Sequence, residues 1–226
     1  MKYTTLLMDA DDTIFDFPRC EAHALKDTLT SFGLTYDERI GEDFSRINSA
    51  LWKQFEMNRI TRSELRVRRF SQLLEQCFAG FEHAAEMADK YVDCLSTQTY
   101  LIDGAQEALK LLSRYYEIDI ITNGLKKVQR GRFARTPVSV YCHQLYISDE
   151  MGVQKPSRAY FDLVLADLAE QDHRRILVVG DSLTSDMQGG RNAGLDTCLY
   201  DPKERVILPH PLCDYRVTDL TEIVSL

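Results

Sequence analysis

Two aspartates follow the first apolar segment of the chain at a spacing suited to catalysis or metal binding. Asp9 and Asp11 come directly after residues 3–8 and are separated by a single alanine. A carboxylate in this position can attack an electrophile or bind a divalent cation, and a second one can act as general acid and base. Because acidic turns are common, these two aspartates indicate a catalytic site only together with other residues that can bind a metal ion or an anion. Those residues are Thr122, Asn123, Lys155, Asp181 and Asp186.

Most of these residues stand at the ends of short apolar runs. Residues 3–8, 118–121 and 176–179 are aliphatic or β-branched and are closed by acidic or turn residues. That pattern is typical of buried parallel strands. Ligands bind parallel sheets at the carboxyl ends of the strands, so the polar residues are expected to meet at one edge.

Helical periodicity fills the segments between these runs. Apolar residues recur at helical spacing over 105–112, where Asp103 and Gln106 resemble a capping box. Strands that alternate with helices predict an α/β fold with a doubly wound parallel sheet. Three weaker segments are expected to extend that sheet: residues 145–148, 197–200 and 215–217.

The alternation is interrupted between the first and second strands. Residues 16–97 show helical periodicity and no strand pattern of similar quality. We therefore expect a catalytic core formed by residues 1–15 and 98–226, with residues 16–97 inserted as a helical cap that acts as a lid.

Composition restricts the possible partners and the compartment. The net charge of -8 argues against nucleic-acid polymers, whose partners usually carry a basic excess. The N-terminus resembles neither a signal peptide nor a membrane span. Six scattered cysteines without metal-ligand spacing are expected to be reduced thiols, which fits the cytoplasm.

Four segments together resemble the ordered motifs of the haloacid dehalogenase-like (HAD) superfamily of phosphohydrolases. Residues 7–13 match its DxDxT pattern, residues 121–124 the second motif, Lys155-Pro156 the third, and residues 180–186 the fourth in its GDxxxxD form. The four matches span almost the whole chain in the expected order. The resemblance implies a Rossmann-like core with a helical cap inserted after the first motif.

The resemblance also implies a Mg²⁺-dependent mechanism. Asp9 would be the nucleophile and would form a phosphoryl-aspartate, while Asp11 would serve as general acid and then general base. Asp9 and Asp181 would ligate Mg²⁺ with the main-chain carbonyl of Asp11, and Asp186 would bind through water or orient Lys155. Three groups would hold the phosphoryl oxygens: the Thr122 hydroxyl, the Asn123 amide and the Lys155 ammonium. Thr13 is expected to hydrogen-bond locally.

A second and weaker resemblance concerns one branch of the superfamily. Residues 9–17 and 51–70 resemble the house-cleaning pyrimidine 5′-nucleotidases, which implies a nucleoside monophosphate as substrate. Trp52 and Phe55 are candidates for stacking on its base, although Phe55 has the spacing of a core residue. A basic cluster is interpreted as the solvated face of a helix, with an interaction patch as the lesser alternative: Lys126, Lys127, Arg130, Arg132 and Arg135.

Other functions stay open at this point. A sugar-phosphate phosphatase or a phosphomutase would need the same two aspartates. A dehalogenase is disfavoured because a halide needs no general acid, and a non-enzymatic regulator that binds a phosphorylated ligand is disfavoured because Asp9, Asp11, Lys155 and Asp181 are all present. We expect a monomer or homodimer.

Overall fold

The computed structural model describes residues 1–57 and 59–226. The chain divides into two compact units, one formed by Met1–Asp16 with Thr99–Leu226 and the other by Phe17–Gln98. These bounds lie one residue after the expected ones. The interpretation of the second unit as a lid stays a prediction.

The first unit contains a six-stranded parallel sheet, as predicted. The strand order is β3-β2-β1-β4-β5-β6, and every neighbouring pair runs parallel. The three strong runs and the three weaker segments all form strands. Their bounds are β1 Thr5–Met8, β2 Glu117–Thr122, β3 Gln144–Ile147, β4 Ile176–Gly180, β5 Asp196–Tyr200 and β6 Tyr215–Val217.

Both faces of this sheet are covered, which explains why its central strands are continuously apolar. In β1, Leu6 and Met8 pack into one buried cluster, whereas Leu7 points to the other face and packs into a second cluster. All four residues of β1 are buried. Strands of open-faced sheets alternate instead between apolar and polar residues.

The described residues of the second unit form four α-helices: α1 Phe17–Ser31, α2 Glu38–Glu56, α3 Arg62–Cys77 and α4 Ala84–Leu95. Its core contains Phe44, Phe70 and Tyr91, whose ring centroids lie 5.2–5.6 Å apart. A capping box begins α3, in which Thr61 accepts a hydrogen bond from the Glu64 amide and the Glu64 side chain accepts one from the Thr61 amide.

In the part of the chain that the structure describes, five further α-helices and several shorter helical turns connect the strands. The α-helices are α5 Ala105–Leu112, α6 Lys126–Phe133, α7 Ser148–Met151, α8 Arg158–Asp167 and α9 Gln188–Ala193, and a π-helical turn spans Leu183–Met187. The predicted capping box at Asp103 is wrong. Gly104 occupies the N-cap of α5 with φ +79° and no side-chain cap, because glycine readily adopts this left-handed conformation. None of the helices described combines the length and the hydropathy needed to cross a bilayer.

Candidate active site

Parallel pairing brings the ends of three strands to one edge of the sheet. Met8 at the end of β1 lies opposite Ile120 of β2 and Val179 of β4. The Asp9 amide continues the pairing by donating to the Val179 carbonyl at 2.8 Å. The chain segments that follow these strands therefore begin side by side, which explains how distant motifs meet.

Lys155 lies in the loop between α7 and α8 and points into this edge. Its ammonium is buried and donates to Asp9 Oδ1 at 2.6 Å, to Asp186 Oδ1 at 2.6 Å and to the Ile121 carbonyl at 2.9 Å. Burial alone would lower the pKa of Lys155, but the charges of Asp186 and Asp9 outweigh burial and raise the pKa. The side chain therefore stays a cation at neutral pH.

Three carboxylates meet beside this ammonium. One oxygen from each of Asp9, Asp181 and Asp186 lies within 4.8 Å of the others. Burial and the neighbouring carboxylates together raise the pKa of Asp9 to about 8 and of Asp181 to about 9, against the opposing charge of Lys155. Three carboxylates and one ammonium have a formal charge of −2, which burial makes costly.

This donor set fits a magnesium ion. Mg²⁺ prefers carboxylate oxygens and usually keeps several waters, and its charge of +2 would balance the −2 of these four side chains. Asp9, Asp181 and Asp186 are the residues that would hold it. The side chain of Asp11 is not part of this group, so only its main-chain carbonyl stays a predicted ligand.

Gly180 makes room for the carboxylate of Asp186, and we expect that Gly180→Ala destabilises the site. A methyl group at this position would lie 2.7 Å from Asp186 Cβ and closer still to its carboxylate. That carboxylate cannot move freely, since Oδ1 accepts from Lys155 and Oδ2 from the Ser182 amide at 3.1 Å. Urea unfolding should show a loss of about 1–3 kcal/mol. Unchanged stability together with unchanged Mg²⁺ affinity would contradict this assignment.

Thr122 and Asn123 reach the same edge, but their side chains bond to the protein. The Thr122 hydroxyl accepts from the Gly124 amide at 3.0 Å. Asn123 forms two hydrogen bonds with the backbone of Lys155, each 2.9 Å long: its Nδ2 donates to the carbonyl and its Oδ1 accepts from the amide. The Asn123 side chain thus fixes the loop that carries Lys155. Binding of phosphoryl oxygens by Thr122 and by the Asn123 amide stays a prediction.

Asp11 has partners that sequence reasoning missed. Arg132 forms an ion pair with Asp11 Oδ1, and Gln129 Nε2 donates to Asp11 Oδ2 at 2.8 Å. The interpretation of the basic cluster as a solvated face is therefore wrong for Arg132, whose side chain is 0% exposed. Spacing was the signal available in the sequence. Gln129 and Arg132 are three residues apart, so they share one face of α6, and this helix begins soon after Asn123.

The loop after β1 also differs from expectation at Thr13. Its hydroxyl is buried and has no hydrogen-bond partner in the described part of the chain, so the expected local hydrogen bond is wrong. Asp12 shapes the loop instead. It adopts φ +62°, a conformation in which aspartate is enriched, and its amide donates to the Phe15 carbonyl at 2.9 Å.

The two aromatic candidates of the helical unit differ in exposure. Phe55 is only 7% exposed and packs against Trp52 and the Arg62 guanidinium. Phe55 therefore belongs to the core of its unit, which corrects its selection as a base-stacking residue. Trp52 is partly exposed, and its contact with a substrate stays a prediction.

Comparison with known proteins agrees with the motifs. Residues 6–200 match the family model of haloacid dehalogenase-like hydrolases. The chain is 34% identical to pyrimidine 5′-nucleotidase PynA of Streptococcus pneumoniae (89% of this chain, 85% of PynA) and 30% identical to pyrimidine 5′-nucleotidase YjjG of Escherichia coli (91% and 89%). A magnesium-bound crystal structure of the HAD-hydrolase YfnB from Bacillus subtilis superposes with a TM-score of 0.92 at 32% identity, covering 100% of this chain and 98% of YfnB. This chain belongs to the haloacid dehalogenase-like hydrolase family.

Proposed function

We propose that the protein is a Mg²⁺-dependent phosphatase that cleaves small phosphate monoesters through a phosphoryl-aspartate at Asp9. One observation carries this proposal: the buried carboxylate of Asp9 lies 2.6 Å from the Lys155 ammonium and beside the carboxylates of Asp181 and Asp186. A carboxylate must be held beside positive charge before it can attack an anionic phosphate ester. When bound, Mg²⁺ supplies charge that offsets this repulsion.

The protein side chains would supply the nucleophile, the general acid and base, and the groups that bind the phosphoryl oxygens. Asp9 attacks phosphorus and forms an acyl phosphate as the bond to the leaving oxygen breaks. Asp11 gives its proton to that oxygen and later takes a proton from the water that hydrolyses the intermediate. Lys155 stabilises the charge on the phosphoryl oxygens, with help from the Thr122 hydroxyl and the Asn123 amide.

The proposed substrate is a nucleoside monophosphate, in particular a pyrimidine nucleotide. PynA and YjjG carry the name pyrimidine 5′-nucleotidase and align with about nine tenths of this chain. The partly exposed Trp52 offers an aromatic face suited to a nucleobase. The six cysteines are all free thiols, which supports placing the enzyme in the cytoplasm.

A phosphate-release assay tests this proposal. Purified protein is incubated with nucleoside, sugar and short-acid monophosphates, in Mg²⁺ and in excess EDTA. We expect release that requires Mg²⁺ and is fastest with pyrimidine nucleoside monophosphates. Sugar phosphates as the best substrates would refute the nucleotidase assignment and leave the phosphatase chemistry intact. A requirement for a bisphosphate activator would indicate a mutase instead.

A further inference from the structure

We infer that Arg132 and Gln129 are positioning residues that aim the carboxyl group of Asp11 at the leaving oxygen of the substrate. This inference rests on the proposed function, because it gives Asp11 the role of acid and base. It is carried by the contacts between α6 and the loop that follows β1. Neither residue belongs to the four motifs that marked the site in the sequence.

Arg132 is held in a fixed place by packing. Its side chain is fully buried and its guanidinium carbon lies 3.8 Å from the centroid of the Phe15 ring. Phe15 packs edge-on against Phe133 at 5.2 Å, and its amide donates to the Ala10 carbonyl at 2.9 Å. The arginine is thus stacked on a ring from the same loop that carries Asp11, which limits the guanidinium to one orientation.

Gln129 is placed with similar restriction. It is fully buried, one turn before Arg132 on α6, and donates to the second oxygen of Asp11. Gly124 leaves the space that Gln129 fills, since a methyl group there would lie 2.8 Å from Gln129 Cγ. The close approach of Gly124, in the turn after β2, therefore restricts the position of the Gln129 side-chain amide.

Two donors on two different oxygens fix the plane of the Asp11 carboxyl group. Each carboxylate oxygen has two lone pairs, so the bonds from Arg132 and Gln129 leave a free position on each. That position can carry the proton that the leaving oxygen receives. Proton transfer needs a heavy-atom approach of about 2.6–3.2 Å, so an acid that turns freely loses much of its effect.

The buried guanidinium is difficult to explain as a purely structural feature. Placing a charged arginine in the interior costs several kcal/mol unless a carboxylate compensates for it. Asp11 compensates while its own side chain is 28% exposed, so the carboxyl group stays accessible from one side. A buried cation that bonds to an accessible acid is the arrangement expected of a residue that positions a catalytic group.

The inference is tested by the dependence of kcat/KM on the leaving group. A nitrophenolate departs without a proton, whereas an alkoxide needs one, so only alkyl phosphates require a well-aimed acid. We expect Arg132→Met and Gln129→Met to lower kcat/KM for a nucleoside 5′-monophosphate by about 10- to 100-fold. The same variants should lower kcat/KM for p-nitrophenyl phosphate by less than about 5-fold. This ratio reports bond cleavage, because kcat/KM includes no later step.

Three comparisons make the outcome decisive. Arg130→Met changes a half-exposed arginine of the same helix, paired with Glu150, and should alter neither substrate's rate. In the Asp11→Asn background, Arg132→Met should cause little further loss, because a positioning residue acts through its partner. Melting curves with and without Mg²⁺ show whether each variant is folded. If Arg132→Met does not fold, Gln129→Met still tests the inference.

The possible failures can be told apart. Equal losses on both substrates, or a full additional loss in the Asp11→Asn background, would overturn the inference while the phosphatase assignment stood. If the unmodified protein releases phosphate from neither ester, the proposed function falls and the inference falls with it.

Discussion

Asp9→Asn is expected to lower phosphate release by about 10⁴-fold or more, since an amide cannot form the phosphoryl intermediate. The same substitution should stabilise the metal-free protein. Burial raises the pKa of Asp9 from 3.8 to about 8, so at pH 7 the folded state disfavours a charge that the unfolded chain carries freely. A neutral amide avoids this cost, and urea unfolding in EDTA should show a gain on the order of 1–4 kcal/mol in the free energy of unfolding, since each pKa unit corresponds to about 1.4 kcal/mol.

The pH dependence of this gain gives a second check. A raised carboxyl pKa costs stability only where the unfolded chain is ionised, so the gain should be absent below about pH 4, the ordinary pKa of aspartate, and grow towards about pH 8. Asp162→Asn is the control, because Asp162 lies on α8 with a side chain 54% exposed and should affect neither activity nor stability appreciably. A variant that loses activity and also unfolds more easily in EDTA would show that Asp9 is not held under electrostatic strain.

The arrangement of the strands could be predicted because each relevant signal is local. Residues 3–8, 118–121 and 176–179 had the length and composition of buried parallel strands, and their ends necessarily meet in a parallel sheet. The position of Asp9 beside Asp181 and Asp186 followed from that rule. The predicted α5 cap failed because Gly104, a residue without a side chain, took the position assigned to Asp103.

The residues that the sequence could not assign depend on packing between elements. Arg132 stands in a run of basic residues, and composition alone treats them alike. Only the packing of α6 against the loop after β1 separates it from its exposed neighbour Arg130. For Phe55, spacing along α2 already favoured the core, and its ring also contacts Arg62 from another helix. Contacts of this kind join residues of different elements, and a pattern read along one short segment does not predict them.

Lys155→Met is expected to be the most destabilising single change at this site. It removes the ammonium that bonds to Asp9 and Asp186 and leaves both acidic groups buried without that partner. Breaking a buried ion pair from one side costs about 3–5 kcal/mol, because the remaining charge stays desolvated. Urea unfolding in EDTA measures this loss. Phosphate release should fall by about 10²- to 10³-fold, since a donor to the phosphoryl oxygens is lost.

Magnesium and a surface lysine together distinguish this explanation from a general loss of packing. Added Mg²⁺ should restore part of the stability of Lys155→Met, because a cation that binds only the folded state compensates for the excess of carboxylates. Lys126→Met removes an exposed lysine 3.5 Å from Glu150 and should change stability by less than about 1 kcal/mol. If Lys155→Met resembles Lys126→Met in EDTA, the ammonium does not offset the buried charge. If Mg²⁺ fails to stabilise Lys155→Met, the three carboxylates do not form the cation site proposed for them.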